Sequence, residues 1–228
     1  MRSSEQALAD VMGRIAAACA RSGRNPGDVR LVAVSKTMAA ERVRELIQAG
    51  HLLFGENRVQ EALLKIDAVE PGPEWHFIGH LQKNKIRHAI GKFALIHSVD
   101  GQEMALVLDR RCRAEGMVQP VLLQVNQAAE TTKHGIRPED LPALAAEVEG
   151  CAGLDLQGLM SIPPPEKNPE DSRRWFAGLR TLRDRLGPEL GRELPELSMG
   201  MSDSYPLAVE EGATLVRVGT ALFGSRQV

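Results

Sequence analysis

The sequence predicts a (β/α)8 barrel, an α/β fold, with one extra helix before the first strand. Short apolar runs alternate with amphipathic helical stretches along the 228 residues, which indicates parallel strands joined by right-handed crossovers. The apolar runs number eight, as many as a closed barrel of this type needs. The competing fold is an open doubly wound sheet, but no GxGxxG follows the first run, which weakens its dinucleotide-binding form.

The helical stretches are predicted from apolar residues that recur every three or four positions. The first stripe precedes the first strand and predicts the extra helix. Gly50 is a stop signal for the second helix, and Pro138 lies near the start of a later one. The stripes contain Leu8, Val11, Met12, Ile15 and Cys19; Val43, Leu46 and Ile47; Val59, Leu63, Ile66 and Val69; Met104, Val107, Leu108 and Cys112; Leu141, Leu144 and Val148; and Trp175, Leu179, Leu182 and Leu186.

The predicted strands are continuous apolar runs, a pattern typical of strands that are covered on both faces. In chain order they are LVAVS (31–35), LLFG (52–55), WHFIG (75–79), ALIHSV (94–99), PVLLQVN (120–126), LDLQGLMSI (154–162), ELSMG (196–200) and TLVRVG (214–219). The Pro-rich segment 161–172 is predicted to be a surface loop or lid, because the alternation continues beyond it. One domain therefore covers residues 1–228.

Lys36 directly follows the first apolar run, where a charged side chain needs either water or a partner. In one interpretation Lys36 lies at the strand end and pairs with Glu56. In the other it is a nucleophile, because burial and nearby positive charge lower the pKa of a lysine from about 10.4. The neutral amine would then attack a carbonyl and form a Schiff base. The sequence alone leaves both interpretations open.

The last two strand ends carry glycine and hydroxyl residues. Barrels of this type often bind phosphate in the loops after strands seven and eight. The candidates there are Ser198, Gly200, Ser202, Gly219 and Thr220. Glycine and serine are also common in ordinary turns. A lysine near a phosphate site suggests either a phosphorylated sugar or pyridoxal 5′-phosphate as the ligand.

Composition argues against several classes of function. The formal net charge of −2 gives no electrostatic basis for binding nucleic acid or an anionic membrane, and no apolar run has the length of a membrane span. There is no apolar signal-peptide core, and three cysteines without a CxxC pair suggest a reducing cytoplasm. No metal site is predicted, since His76 and His80 lie in a strand-like stretch and need not share a face. A barrel can bury its own core, so we expect a monomer.

Eight sequence blocks point to a known family. They are VAVSKT, FGENRVQEA, WHFIGHLQKNK, HSVD, QVN, GLMSI, LSMGMS and VRVGTALFG, in this order between residues 32 and 224. On these blocks the chain closely resembles the YggS/PROSC family of pyridoxal phosphate homeostasis proteins. The resemblance implies a barrel like the N-terminal domain of alanine racemase, with pyridoxal 5′-phosphate as its cofactor.

The resemblance also implies roles for individual residues. Lys36 matches the lysine that holds the cofactor as a Schiff base, the internal aldimine. Asn57 matches a polar group near the cofactor, and Arg217 resembles the arginine that approaches the pyridine nitrogen in racemase-like barrels. The residues that match the phosphate-binding turns are Ser202, Gly219 and Thr220. The residues that match other positions lining the pocket are His76, Met160 and Ser161.

The expected function is cofactor storage or delivery rather than catalysis. Racemases with this fold take their second base from a tyrosine on another domain of a partner subunit. Here the single tyrosine, Tyr205, is expected beside the phosphate turn. The resemblance therefore implies a cytoplasmic carrier with pyridoxal-phosphate-dependent apo-enzymes as candidate recipients. The alternatives are a racemase or lyase that uses pyridoxal phosphate, and a Schiff-base aldolase or phosphosugar isomerase that does not.

Overall fold

In the part of the chain that the structure describes, eight strands and nine α-helices are present, and the strands and six of the helices form from the segments that carry the predicted apolar patterns. The computed structural model describes residues 3–69, 71–130 and 132–224. The strands in that part of the chain are β1 (Arg30–Val34), β2 (Leu53–Glu56), β3 (Glu74–Phe77), β4 (Leu95–Val99), β5 (Gln119–Val125), β6 (Leu154–Ser161), β7 (Glu196–Ser198) and β8 (Leu215–Val218). The helices there are α1 (Ser4–Ser22), α2 (Ala40–Gln48), α3 (Val59–Val69), α4 (Ile86–Ala89), α5 (Gln102–Ala114), α6 (Leu141–Glu149), α7 (Arg173–Leu190), α8 (Tyr205–Glu210) and α9 (Thr220–Phe223).

The strands form one closed parallel barrel in chain order, as predicted. Closure is made by β1 and β8, where Val32 is paired with Arg217 and Ala33 with Val218. An open doubly wound sheet is therefore wrong for this chain. Because parallel strands in a barrel end at the same rim, residues far apart in sequence meet at the carboxyl ends of the strands.

Two apolar layers explain why the strands are apolar at nearly every position. A small inner cluster fills the barrel, and a large outer cluster lies between the strands and the helices. On β1, Val32 belongs to the inner cluster while Leu31 and Ala33 belong to the outer one. Both faces are buried, so the strand shows no polar alternation.

A bulge at Gly158 interrupts the alternation of β6. The pairing register with β5 shifts at this point, and Gly158 has a φ of 155°. A Cβ atom added to Gly158 would lie 1.9 Å from the carbonyl oxygen of Glu196, so only glycine fits here. As a result, Leu156 and Leu159 both belong to the outer cluster, while Met160 belongs to the inner one.

The predicted extra helix is α1, which packs against α8 and α9 on the outside of the barrel. It begins with a capping box between Ser3 and Gln6 and ends at Gly23, which adopts the left-handed conformation. The guanidinium of Arg24 donates hydrogen bonds to the carbonyl groups of Val209 and Ala213, at 2.6 and 2.9 Å. These bonds tie the end of α1 to the end of α8.

Three further features bear on the predictions. The four-residue helix α4 was not predicted, because a single turn is too short to show helical periodicity. The three cysteines are buried, and none is in a disulfide. Within the described ranges, no helix combines the length and apolar character that crossing a membrane requires.

Candidate functional site

The Lys36 side chain is half-buried just beyond the end of β1. Its amine has no hydrogen bond or ion pair to any residue in the part of the chain that the structure describes. The next residue, Thr37, has a φ of 64°, an uncommon conformation for a β-branched residue. Backbone strain of this kind occurs often where a neighbouring side chain must be held in a functional orientation.

The alternative partner of Lys36, Glu56, is occupied by another lysine. Lys65 on α3 donates to Glu56 Oε1 and to the carbonyl of Ser35, both at 2.6 Å. The Ser35 hydroxyl donates to the same Glu56 oxygen, also at 2.6 Å. All three residues are buried. The interpretation in which Lys36 pairs with Glu56 is therefore wrong, and the buried pair instead anchors the residue before Lys36.

The turns after β7 and β8 lie beside the end of β1. The amide of Arg217 donates to the carbonyl of Gly200 at 3.1 Å, and the amide of Gly219 donates to Ser202 Oγ at 3.4 Å. A Cβ atom on Gly219 would lie 3.3 Å from the carbonyl oxygen of Val34, two residues before Lys36. Barrel closure therefore brings these turns close to the lysine.

The start of α9 offers further hydrogen-bond donors beside these turns. The amides of Thr220 and Ala221 open α9, and such first-turn groups have no partner within their own helix. Together with the hydroxyls of Ser202 and Thr220, they offer hydrogen-bond donors to a phosphate.

Arg217 lies inside the barrel with 4% of its surface exposed. Its guanidinium donates to Ser198 Oγ at 2.5 Å and to the Ser161 carbonyl at 2.8 Å. Burial lowers the pKa of Arg217 to about 10, which still leaves the group charged at neutral pH. Ser198 was a sequence candidate for phosphate binding, but its hydroxyl is used by Arg217.

A buried chain of hydrogen bonds continues from Arg217 through the barrel. Ser198 Oγ lies 2.8 Å from His97 Nδ1, and His97 Nε2 lies 3.0 Å from His76 Nδ1. His76 Nε2 lies 2.7 Å from Glu74 Oε1. The chain thus connects the cation near the barrel mouth to a carboxylate at the start of β3.

Both ends of this chain require the same direction of proton donation. A guanidinium can only donate and a carboxylate can only accept. With both imidazole rings neutral, His76 donates to Glu74, His97 to His76 and Ser198 to His97, while Ser198 accepts from Arg217. Burial is the main cause that holds the pKa of His97 well below its usual value, which agrees with a neutral ring. The hydrogen bond from His76 is the main cause of the lowered pKa of Glu74.

The other predicted residues lie at different depths. Asn57 follows β2 and packs tightly on Gly79, where a Cβ atom would lie 2.3 Å from the Asn57 carbonyl oxygen. Met160 is in the inner cluster, and Ser161 contributes its carbonyl to Arg217. His76 lies within the barrel and connects to Arg217 only through His97 and Ser198.

Sequence reasoning missed two residues of this arrangement, His97 and Lys65. His97 lies in the HSVD block, but nothing in a buried-strand pattern distinguishes a hydrogen-bonded histidine from a packed one. Lys65 lies in an amphipathic helix, where a lysine is ordinarily an exposed residue. The signal that could have found Lys65 is its position next to apolar residues of the helix stripe.

The residues at the mouth fit an anionic aldehyde such as pyridoxal 5′-phosphate. An unpaired amine can react with the aldehyde, and the two turns offer donors to the phosphate. The Ser161 hydroxyl is buried and has no hydrogen-bond partner among the described residues, so a polar ligand group could satisfy it. Tyr205 is fully buried in the outer cluster beside Gly200.

Comparison with known proteins identifies relatives along nearly the whole chain. Residues 11–227 match the family model described as alanine racemase, N-terminal domain. The pyridoxal phosphate homeostasis protein of Aquifex aeolicus is 46% identical over 221 residues, which cover 96% of this chain and 97% of the relative. The protein of the same name from Pseudomonas aeruginosa is 47% identical over 220 residues, with coverages of 96% and 94%.

A solved structure gives a direct comparison with a ligand-bound protein. PipY of Synechococcus elongatus, solved with PLP bound, has a TM-score of 0.82 and 40% sequence identity to this chain. The match covers 94% of this chain and 100% of PipY.

Proposed function

The chain belongs to the pyridoxal phosphate homeostasis proteins within the alanine racemase N-terminal domain family, and from this membership we propose that it stores and delivers pyridoxal 5′-phosphate. In this proposal the cofactor binds reversibly at the barrel mouth, and the protein does not turn over a substrate. The observation that carries the proposal is the half-buried, unpaired amine of Lys36 beside the turn at Gly219.

Lys36 and the two turns would share the binding of the cofactor. Bound pyridoxal phosphate supplies an electrophilic aldehyde carbon and a ring that can accept electrons. Lys36 Nζ is the group that would bond to that carbon. Ser202, Gly219 and Thr220 would hold the phosphate, and Asn57 would provide a polar contact at the rim. Met160 and Ser161 would line the inner wall of the pocket.

Arg217 favours a carrier over a catalyst. A carboxylate facing the pyridine nitrogen would keep that nitrogen protonated, whereas a charged arginine disfavours the proton. In this chain the guanidinium is held rigidly by Ser198 and the Ser161 carbonyl. His97 and His76 would support this orientation through the Ser198 hydroxyl. His76 therefore acts on the pocket through Arg217 and does not line it directly.

The burial of Tyr205 argues against its use as the second base of a racemase. Two-base racemisation requires a proton-transfer group on each face of the substrate carbon. Lys36 could serve one face, but Tyr205 is fully buried in the outer cluster beside Gly200. This supports cofactor homeostasis over turnover of an amino acid.

The proposal also covers the domain organisation, the oligomeric state and the location of the protein. We propose one cofactor-binding domain, since every strand in the described ranges belongs to the same barrel. We also propose a monomer that acts in the cytoplasm and delivers the cofactor to apo-enzymes that depend on it. Light scattering of the protein as it elutes from a size-exclusion column tests whether it is a monomer. Incubation of the loaded protein with an apo-transaminase tests whether it delivers the cofactor.

Borohydride reduction followed by peptide mass mapping tests the covalent assignment. The loaded chain is reduced and digested, and we expect the phosphopyridoxyl mass on the peptide that contains Lys36. The Lys36→Ala variant should lose both this mass and the absorbance of the loaded protein. Lys92→Ala is the matched control, because Lys92 is exposed in the loop before β4, at the other end of the barrel. A reduced adduct on any other lysine would contradict the assignment.

Proton exchange distinguishes a carrier from a racemase. The loaded protein is incubated with L-alanine in deuterated water, and the α-proton signal is followed by NMR. We expect no exchange beyond that of free pyridoxal phosphate at the same concentration. Sustained exchange that depends on Lys36 would overturn the carrier function and leave the cofactor site intact.

A further inference from the structure

A group of metal-type ligands lies on the opposite arc of the barrel mouth. His80 follows β3, Asp100 follows β4, and His134 lies in the long loop after β5. The proposed cofactor residues at the rim come from β6, β7, β8, β1 and β2. The two groups therefore occupy separate arcs of the same rim.

The distances between the donor atoms of these three side chains match those between ligands of one metal ion. His80 Nδ1 lies 3.5 Å from Asp100 Oδ2, and His134 Nδ1 lies 3.6 Å from the same oxygen. Both distances are too long for a hydrogen bond. They are close to the edge of a tetrahedron around an ion with ligand bonds of about 2.0–2.2 Å, which is roughly 3.3–3.6 Å. All three donor atoms lie within 4.8 Å of one another.

The two imidazole rings lie against each other beside Asp100. The rings of His80 and His134 are stacked, with centroids 3.7 Å apart and planes inclined by 11°. Their Nδ1 atoms both face Asp100. Because an imidazole nitrogen binds a metal in the plane of its ring, the two exposed rings would turn apart to converge on one ion.

We propose that His80, Asp100 and His134 bind one divalent first-row transition metal ion, with Zn²⁺ the representative case. Two imidazole nitrogens and one carboxylate suit zinc and its neighbours better than calcium or magnesium, which prefer oxygen ligands. Three protein ligands also leave at least one coordination position for water or a ligand.

A cavity next to this group can hold a ligand of the metal. It has a volume of about 540 Å³, and its lining includes His80, Asp100, Gln82, Asn84 and Glu103. Asp100 is only 16% exposed, whereas the two histidines are 42% and 56% exposed. The histidines can therefore adjust around an ion that is held by a comparatively fixed carboxylate.

Titration of the full, untagged chain with Co²⁺ and Zn²⁺ tests the site. We expect one ion per chain, visible d–d absorption for bound Co²⁺, and displacement of Co²⁺ by Zn²⁺. His134→Ala and Asp100→Asn should each weaken binding by at least about 10-fold. His88→Ala is the matched control, since His88 is exposed and outside the group, and it should bind as the wild type does. Circular dichroism of each variant verifies its fold.

The outcomes separate this proposal from its alternative and from the cofactor proposal. Without bound metal, the three side chains would form an ion pair that depends on protonation of the histidines, and no titration would show saturable binding. Equal affinity in the His134→Ala and His88→Ala proteins would also overturn the proposal. Lys36→Ala should retain the metal site, so loss of cofactor binding and loss of metal binding can be observed independently.

Discussion

Replacing Lys65 with methionine should strongly destabilise the protein, because it leaves a buried carboxylate without its cation. Glu56 is completely buried, and the Lys65 side chain is 9% exposed. Methionine retains most of the volume and removes the charge. The substitution therefore isolates the electrostatic contribution at the base of the Lys36 segment.

The magnitude follows from the burial of the pair. Removing one partner of a buried ion pair costs about 3–5 kcal/mol in the free energy of unfolding. Lys65 also donates to the Ser35 carbonyl, so the upper half of this range is expected. For a protein of this size, each kcal/mol lowers Tm by about 2–4 °C, which for this upper half gives a decrease of roughly 8–20 °C.

Urea unfolding monitored by circular dichroism measures the change, with a double variant as the control. Glu56→Gln combined with Lys65→Met removes both charges, and it should be more stable than Lys65→Met alone. A loss below about 1 kcal/mol in Lys65→Met, as for an exposed pair, would refute the reasoning. A double variant no more stable than the single one would refute it as well.

The same variants test the assignment of Lys36. Since Glu56 does not pair with Lys36, the Glu56→Gln protein should still be labelled at Lys36 after borohydride reduction. Loss of labelling in a protein that remains folded would show that Glu56 acts directly on the Lys36 amine.

Three further predictions concern the interior of the barrel. Ser198→Ala removes the hydroxyl shared by Arg217 and His97, so it should lower the free energy of unfolding in urea by about 1–3 kcal/mol and shift the absorbance of the loaded protein. Ser198→Thr should restore both the stability and the absorbance. An unchanged spectrum in Ser198→Ala would contradict the role of Arg217 at the cofactor. Gly79→Ala places a Cβ atom 2.3 Å from the Asn57 carbonyl oxygen. It should therefore weaken cofactor binding measured by fluorescence titration, and wild-type affinity would show that Asn57 is not part of the pocket. The pKa of His97 is lower in the folded state than in the unfolded chain, so the unfolded state binds the proton more readily. Stability should then fall as the pH drops below about 6.5, by at most about 1.4 kcal/mol per pH unit from this group. His97→Gln should reduce the slope, and an identical slope in both proteins would contradict a buried neutral ring.

Much of the candidate site could be predicted because it lies at strand ends. Lys36 follows a run of apolar residues that is recognisable without tertiary information, and the rule for barrels places strand-end residues at one rim. The partner of Glu56 could not be predicted this way. Both Lys36 and Lys65 are close to it in sequence, and only the packing of α3 against β2 selects Lys65.

The sequence by itself determined the alternation of strands and helices, the extra helix, and the positions of Lys36 and the phosphate-type turns, because these depend on local periodicity and local turn chemistry. Tertiary structure alone decided which distant groups share a hydrogen bond or a ligand. Ser198 faces Arg217 and His97, and His80 meets Asp100 and His134, because barrel closure brings separate strand ends together. The physical reason is that these contacts depend on strand register and on bulges such as the one at Gly158, which arise from packing between elements and leave no periodic pattern in the sequence.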